Sequence, residues 1–352
     1  MTLRDQLALQ IDANGPLTIA TYMRECLLNP EYGYYTTRNP IGASGDFVTA
    51  PEISQMFGEL IGLSLAQAWL DRGSPAPFAL VELGPGLGTL MADILRAGQK
   101  VPGFLQAAHI HLVEASTTLK DEQAKRLDGF EVTWHASLDT VPDIPLFLVA
   151  NEFFDALPIR QFVRDGSGWR ERQIGLTDDT LHFGLAQRQM QPALNDRLDD
   201  TKDGDLVEDC PTLAPFVQMI GERIQKNGGV ALIIDYGDWR SLGDTLQAVS
   251  THEKCDPLHA PGQADLTAHV DFEKIAQAAP CAHTRLTPQG VFLGRLGISA
   301  RAQTLATRLS GTQLETHIDA HRRLTHPQEM GTLFKVLGLF DDSFPPPPGL
   351  EK

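Results

Sequence analysis

Residues 81–88 read Val81-Glu82-Leu83-Gly84-Pro85-Gly86-Leu87-Gly88: an apolar strand ending in a carboxylate, then a glycine at every second position, then a helix opening at Thr89. Only a residue without Cβ lets a chain turn sharply off a strand while a ligand touches its main chain. Gly84, Gly86 and Gly88 therefore predict a loop that receives a nucleoside-bearing cofactor. A dinucleotide fingerprint wants Gly or Ala one place further on, where this chain has Thr89, and that weakens a nicotinamide or flavin reading. A second strand pattern, His109-Ile110-His111-Leu112-Val113-Glu114, also closes on an acid, and Glu114 is the candidate to accept hydrogen bonds from a ribose diol. Carboxylates at both Glu82 and Glu114 would repel a pyrophosphate. They suit S-adenosylmethionine, whose ribose donates and whose sulfonium and ammonium are positive.

Outward from this loop the chain alternates strand and helix: Ala79 to Leu83, Leu90 to Arg96, Ile110 to Glu114, Thr118 to Leu127, Val132 to His135 and Leu146 to Ala150. Such alternation is the signature of an α/β fold with a parallel, doubly wound sheet. Leu3 to Asp12 and Thr18 to Leu28 have helical spacing, with Thr18 as a cap, and Ile53 to Leu70 resumes it after a loop rich in Gly, Ser and Thr. From Ile159 to Lys226 the pattern changes to Arg- and Gln-bearing strands, a turn at Gly166-Ser167-Gly168, and an acidic stretch from Asp196 to Asp209. We read this as an insertion whose acids form a solvated loop. Gly229 to Tyr236 returns as a buried strand and Met330 to Leu337 as a closing one, while Pro345 to Pro348 reads as a frayed tail. The expected division is 1–75 for an N-terminal helical segment with a cofactor-covering loop and 76–158 with 227–340 for the cofactor-binding core. Residues 159–226 are expected as an inserted substrate-binding subdomain and 341–352 as a Pro-rich tail.

The 352 residues, 42% hydrophobic and 21% charged, have the composition of a soluble globular protein with room for a large core. Apolar runs such as Val230 to Ile234 are too short to cross a bilayer, so no membrane insertion is expected. No basic stretch followed by an apolar run opens the chain, which makes the cytoplasm the default location. A formal net charge of −16 disfavours nucleic acid and fits a cationic partner. Cys26, Cys210, Cys255 and Cys281 form no CxxC pair, and His252, Cys255 and His259 have no fourth ligand nearby, so reduced thiols and no metal are expected.

Asn151-Glu152-Phe153-Phe154-Asp155-Ala156-Leu157-Pro158 follows the fourth strand directly and so falls at the carboxyl edge of the sheet, where this architecture binds ligands. First-turn acids of an ordinary helix would explain it. A cation pocket would too: Glu152 and Asp155 could orient the planar fork of a guanidinium while Phe153 or Phe154 covers its flat face. Gly45-Asp46-Phe47-Val48-Thr49-Ala50-Pro51-Glu52 could fold over the cofactor, with Asp46 on the methionine ammonium and Thr49 beside it. The same stretch could equally be a capped loop, with Thr49 as cap and Glu52 as its capping-box partner. Asp235-Tyr236 ends the fifth strand on the ligand edge, and His269 lies beside Asp271, where it could accept a proton.

Taken together, seven segments in order resemble the MidA-like family, which includes the mitochondrial complex I assembly-factor arginine methyltransferases. They are 45–59, 81–90, 151–158, Ile234-Asp235-Tyr236-Gly237, 243–248, 264–272 and 330–337, and they span nearly the full length. Departures are small: Cys210 stands where Ser is expected before Pro211, and Pro288 where Thr is expected before Gln289. The resemblance implies a class I, Rossmann-like methyltransferase sheet of seven strands whose last strand is antiparallel. It further implies S-adenosylmethionine as cofactor and methylation of a protein arginine, with a core complex I subunit as the substrate in the mitochondrial members. On that reading Glu152, Asp155 and His269 are catalytic, and Asp46, Thr49, Glu82, Gly84, Gly86, Gly88, Glu114 and Asn151 hold the cofactor. Phe153, Phe154, Asp235 and Tyr236 meet the substrate. A homodimer is left open, and the rival readings are a nicotinamide-dependent oxidoreductase and a non-catalytic assembly chaperone.

Overall fold

The computed structural model describes residues 1–37, 49–250 and 253–352, which group into two compact units. Each unit is assembled from three separate stretches of chain.

The unit formed by Ile41–Phe154, Ala214–Trp239 and Asp271–Lys352 contains the strand–helix alternation. Its strands are β1 (Phe78–Leu83), β2 (Ala108–Val113), β3 (Val132–His135), β4 (Leu146–Asn151), β5 (Gly229–Asp238) and β6 (Phe334–Phe340). They lie in the order β3-β2-β1-β4-β5-β6. The first five are parallel, and β6 is antiparallel to β5, with Val230 opposite Phe340 and Tyr236 opposite Phe334. Outside β6 the edge is made of two fragments, Ala282–His283 and Thr287–Pro288, in place of one continuous seventh strand. Pro288 has no N–H to carry a ladder onward, which is one reason the edge breaks there.

Every residue of β1 and β4 is buried, as expected for parallel strands covered on both faces. The helices that matter for the site are α1 (Gln55–Asp71), α2 (Thr89–Gly98), α3 (Thr117–Arg126) and α4 (Leu213–Asn227). Phe78 of β1 anchors an aromatic cluster, with ring centroids 5.9 Å from Trp69, 5.2 Å from Phe104 and 5.0 Å from Phe147. The tilted and edge-on geometries are those that ring quadrupoles favour.

The Pro-rich end is tied down, contrary to the expectation of a frayed tail. Ser64 Oγ of α1 donates to the Pro348 carbonyl at 2.9 Å, Arg72 Nη2 donates to the Pro345 carbonyl at 3.0 Å, and Leu350 is buried in the core. Prolines cannot donate, but their carbonyls remain acceptors, and these side chains take them.

The unit formed by Met1–Pro40, Asp155–Leu213 and Arg240–Val270 is antiparallel in its main sheet. Leu17–Thr18, Gly168–Thr177, Arg160–Asp165 and Leu206–Asp209 pair in that order, and Thr180–Leu185 adds to Gly168–Thr177. Helices Leu3–Asn14 and Ile19–Leu28 cover it, the second capped as expected by Thr18, whose Oγ1 accepts from the Thr21 amide at 3.1 Å. Leu7, Ile19, Tyr22, Met23, Ile174 and Leu266 share one core. The N-terminal segment and residues 240–270 thus group with the inserted strands, whereas α4, placed in the insertion by its sequence position, groups from Ala214 onward with the sheet of β1 to β6.

The acidic stretch is not simply a solvated loop. Glu208 is 6% exposed and accepts from Gln161 Nε2 at 2.7 Å and the Thr245 amide at 3.0 Å. Arg197 is buried and pairs with Asp200 at 3.1 Å. Among the described residues no helix is long and apolar enough to cross a membrane, and no cluster of His, Cys, Asp or Glu is arranged to hold a metal. His252, of the His252, Cys255 and His259 set from which no metal is expected, lies outside the described residues.

Candidate active site

Chain progression along the sheet reverses between β1 and β4, and a crevice at the carboxyl ends of such strands is where ligands bind in this architecture. The glycine loop leaves β1 there. Gly84, Gly86 and Gly88 have φ of 59°, 53° and 77°, all left-handed, so the spacing read from the sequence corresponds to three positions that disfavour a side chain. A Cβ on Gly84 would also stand 3.0 Å from Phe153 Cδ2. Gly88 is the N-cap of α2, and its carbonyl accepts from the Ala92 amide at 3.0 Å.

Glu82 is buried beneath this loop, where burial pushes its carboxyl well above the usual range. A hydrogen bond from the Met91 main chain works against the shift, and the neighbouring Glu114 and Asp93 carboxylates add to it. Glu114, just past β2, is also raised by burial, though hydrogen bonds to its charged form oppose this. Its Oε1 accepts from the Ser116 amide at 2.8 Å and its Oε2 from Gln123 Nε2 at 3.1 Å. A carboxylate offers about four lone-pair directions, so acceptor capacity for a diol remains.

At the end of β4, Glu152 adopts φ 52°, a left-handed conformation that costs a residue with a Cβ about 1–2 kcal/mol. Its amide donates to the Ile234 carbonyl at 2.9 Å. Its Oε1 lies 3.3 Å from the Ala50 amide and 3.2 Å from Asn151 Nδ2. The carboxylate is therefore fixed by both the strand end and the short helix Ala50–Ile53. Asn151 Oδ1 is buried with no partner among the described residues, an acceptor suited to an ammonium group.

Phe153 is half-buried, its ring centroid 5.4 Å from those of Phe154 and Phe216. Asp235 is fully buried, and its two oxygens accept from the Phe154 and Tyr236 amides, each at 3.0 Å. Its carboxylate thus holds the loop after β4 in place. Tyr236 packs edge-on to Phe334 at 5.4 Å.

Thr49 precedes the short helix Ala50–Ile53 but makes no side-chain cap, so the expected capping box is absent. Glu52 accepts instead from the Thr89 hydroxyl, which links the short helix to the start of α2. Thr89, the residue that argued against a dinucleotide, has a structural partner of its own. Asp46 lies outside the described residues.

Asp155 and His269 belong to the other unit. There the Asp155 carbonyl accepts from the Ala268 amide at 3.0 Å, and the His269 amide donates to Thr245 Oγ1 at 2.8 Å. Thr245 donates in turn to Glu208, so the main chain at His269 is tied to a buried acid.

Sequence reasoning missed Gln123. It is fully buried, and its Nε2 donates to the Gly86 carbonyl at 2.8 Å as well as to Glu114. A signal was available: Leu119, Gln123 and Leu127 stand four apart, and an amide in the middle of an apolar stripe needs partners.

The residues fit S-adenosylmethionine. Three left-handed glycines leave main chain open, Glu114 keeps acceptor sites for a diol, and Asn151 presents an unpaired buried oxygen.

The comparisons agree. A family described as S-adenosyl-L-methionine-dependent methyltransferases matches residues 60–291. The protein arginine methyltransferase NDUFAF7, mitochondrial, of Bos taurus is 37% identical, covering 95% of this chain and 82% of its own length. The protein of the same name from Homo sapiens is 36% identical with the same coverage. A crystal structure of a COG1565 superfamily member from Burkholderia thailandensis, bound to S-adenosyl-homocysteine, superposes with a TM-score of 0.82 at 27% identity, covering 96% of this chain and 91% of that one. One expectation is corrected: the default to the cytoplasm does not stand, because the relatives matched over nearly the whole chain are named as mitochondrial proteins.

Proposed function

We propose, for a chain that belongs to the MidA-like family of S-adenosylmethionine-dependent methyltransferases, that the methyl acceptor is an arginine side chain of a protein. The chain is a methyltransferase that uses S-adenosylmethionine. A core subunit of respiratory complex I is the first candidate substrate, following the family resemblance.

The observation that carries the arginine reading is Glu152, a carboxylate held in a strained backbone conformation at the carboxyl end of β4. Strain of this kind persists where the surroundings over-determine it, and it gathers at working sites. When bound, S-adenosylmethionine supplies an electrophilic methyl carbon attached to a positively charged sulfur. Gly84, Gly86, Gly88, Glu82, Glu114 and Asn151 would hold it, with Thr49 beside them. The substrate guanidinium, charged at any ordinary pH, would donate to Glu152 while the Phe153 ring lies against its flat face. One guanidinium nitrogen then faces the methyl carbon. As the bond from nitrogen to the methyl carbon formed, the methyl–sulfur bond would break with its electron pair going to sulfur, S-adenosylhomocysteine would leave, and Glu152 would accept the proton that the methylated nitrogen loses. The main demands on the protein are alignment and exclusion of water, so no strong base is required. Asp155 as a second acid and His269 as a proton acceptor are proposed from their residue types, and Phe154, Asp235 and Tyr236 as the frame that shapes the loop after β4.

The test is transfer of labelled methyl from S-adenosylmethionine to proteins of a mitochondrial lysate, followed by peptide mapping. Label on arginine supports the reading. Label confined to lysine, to a carboxylate or to a small molecule overturns it.

A further inference from the structure

Gln123 of α3 is hydrogen-bonded through both ends of its amide beside the glycine loop. Its Nε2 donates to the Gly86 carbonyl at 2.8 Å and to Glu114 Oε2 at 3.1 Å, and its Oε1 accepts from Trp134 Nε1 at 2.8 Å. The orientation of the amide is not ambiguous. An indole N–H can only donate, so the amide oxygen must face Trp134 and the nitrogen is left to face Glu114 and the Gly86 carbonyl. Gln123 has no exposed surface, so each contact is made away from water. Gln123 also lies against the loop at Gly88, where a Cβ would stand 3.4 Å from both Cα and Cγ of Gln123, an ordinary van der Waals contact.

We propose that Gln123 is a positioning residue that ties the glycine loop to Glu114 at a fixed spacing and so aims the Glu114 carboxylate at the ribose diol. The proposal rests on the reading of Glu114 as the ribose acceptor. Without the amide, Glu114 Oε2 loses the Gln123 donor, and the carboxylate is left to the main-chain amides of Ser116 and Ala115. Trp134, from β3, acts one step further back by fixing which way the amide faces.

The experiment is calorimetric titration of the full chain with S-adenosylmethionine and with the 2′,3′-dideoxyribose analogue of S-adenosylhomocysteine, against S-adenosylhomocysteine itself. Gln123→Met is expected to weaken binding of the two diol-bearing ligands about tenfold, the scale of a lost hydrogen bond to a charged group. Binding of the dideoxy analogue is expected to change by less than about twofold. Trp134→Phe removes the indole N–H while keeping an aromatic ring at the site, and it should weaken the diol-bearing ligands about threefold. This second variant carries the test if Gln123→Met melts well below the parent. Equal losses for diol-bearing and dideoxy ligands would make Gln123 a general support of the loop and overturn the proposal, as would no loss for either. Glu114→Gln separates the two readings. If it leaves S-adenosylmethionine binding unchanged, the ribose assignment fails and the proposal fails with it. If it weakens binding and the Gln123→Met loss adds to it in full, only the positioning role fails.

Discussion

Phe153 lies so close over Gly84 that a Cβ on the glycine would stand 3.0 Å from the ring's Cδ2, and the glycine also sits at φ 59°. Loop and aromatic ring are therefore in register with one another. Gly84→Ala faces two penalties, the left-handed backbone and the ring, and should weaken S-adenosylmethionine binding by about 1–2 kcal/mol. Adding Phe153→Leu should restore part of the loss. Calorimetry on the single and double variants decides it; a double variant no better than the single one would show that the ring plays no part.

Glu114→Ala removes the proposed acceptor for the sugar hydroxyls. Cofactor affinity should fall by about 1.5–3 kcal/mol, the scale of hydrogen bonds to a charged group. The same titration with an unchanged dissociation constant would defeat the assignment.

Glu152 supports two opposite outcomes. Glu152→Gln should keep cofactor affinity and abolish methyl transfer to protein. Glu152→Gly should also abolish transfer, yet raise the melting temperature, because glycine accepts φ 52° without the cost of about 1–2 kcal/mol borne by a residue with Cβ. A glycine variant that melts no higher than the glutamine variant would mean that the backbone there stores no strain.

His111 gives a pH signature. Its Nδ1 lies 3.0 Å from His135 Nε2, and burial, with the neighbouring imidazoles of His135 and His109 adding to it, pushes its pKa down to about 4. An unfolded histidine titrates near 6.5, so below that pH the unfolded chain takes up a proton that the folded chain refuses. The contribution is fully present above about pH 6.5 and is lost as the pH falls toward about 4. Asp93, pushed up to about 6 chiefly by burial, works in the opposite sense, since the folded state keeps its proton and that contribution is lost as the pH rises through 6. The informative quantity is thus the difference between parent and His111→Phe in melting temperature from pH 4 to 7. Parallel curves would exclude His111 as a contributor.

Leu350 is 7% exposed and packs into the core next to Gly338, although it follows four consecutive prolines. Leu350→Ala should cost about 2–3 kcal/mol by chemical denaturation, within the range for a buried leucine. A cost near zero would mean that the end of the chain frays in solution.

Elements whose boundaries depend on local periodicity were legible in the sequence. β3 is read at Val132–His135 in both, and the helix at Ile19–Leu28 begins after its Thr18 cap as expected. The glycine loop was legible too, because left-handed backbone leaves a compositional mark. What could not be read depends on partners far apart in the chain. Thr89 donates to Glu52 and Ser64 to Pro348, and nothing in the spacing announces either pair. The left-handed Glu152 was hidden for the opposite reason, since its residue type argues against the conformation it adopts. The grouping of residues 1–37 with the inserted strands was equally hidden, because Leu7 and Ile19 look like any helix face until Ile174 and Leu266 are seen beside them.

That grouping bears on synthesis. The helices Leu3–Asn14 and Ile19–Leu28 emerge from the ribosome long before Ile174 and Leu266, which belong to the same core and follow only after most of the methyl-donor sheet has been made. Early apolar surface must wait, uncovered, for late sequence. Neither unit can be obtained as one uninterrupted fragment, and a nascent chain halted before Leu266 would be a natural client for a chaperone.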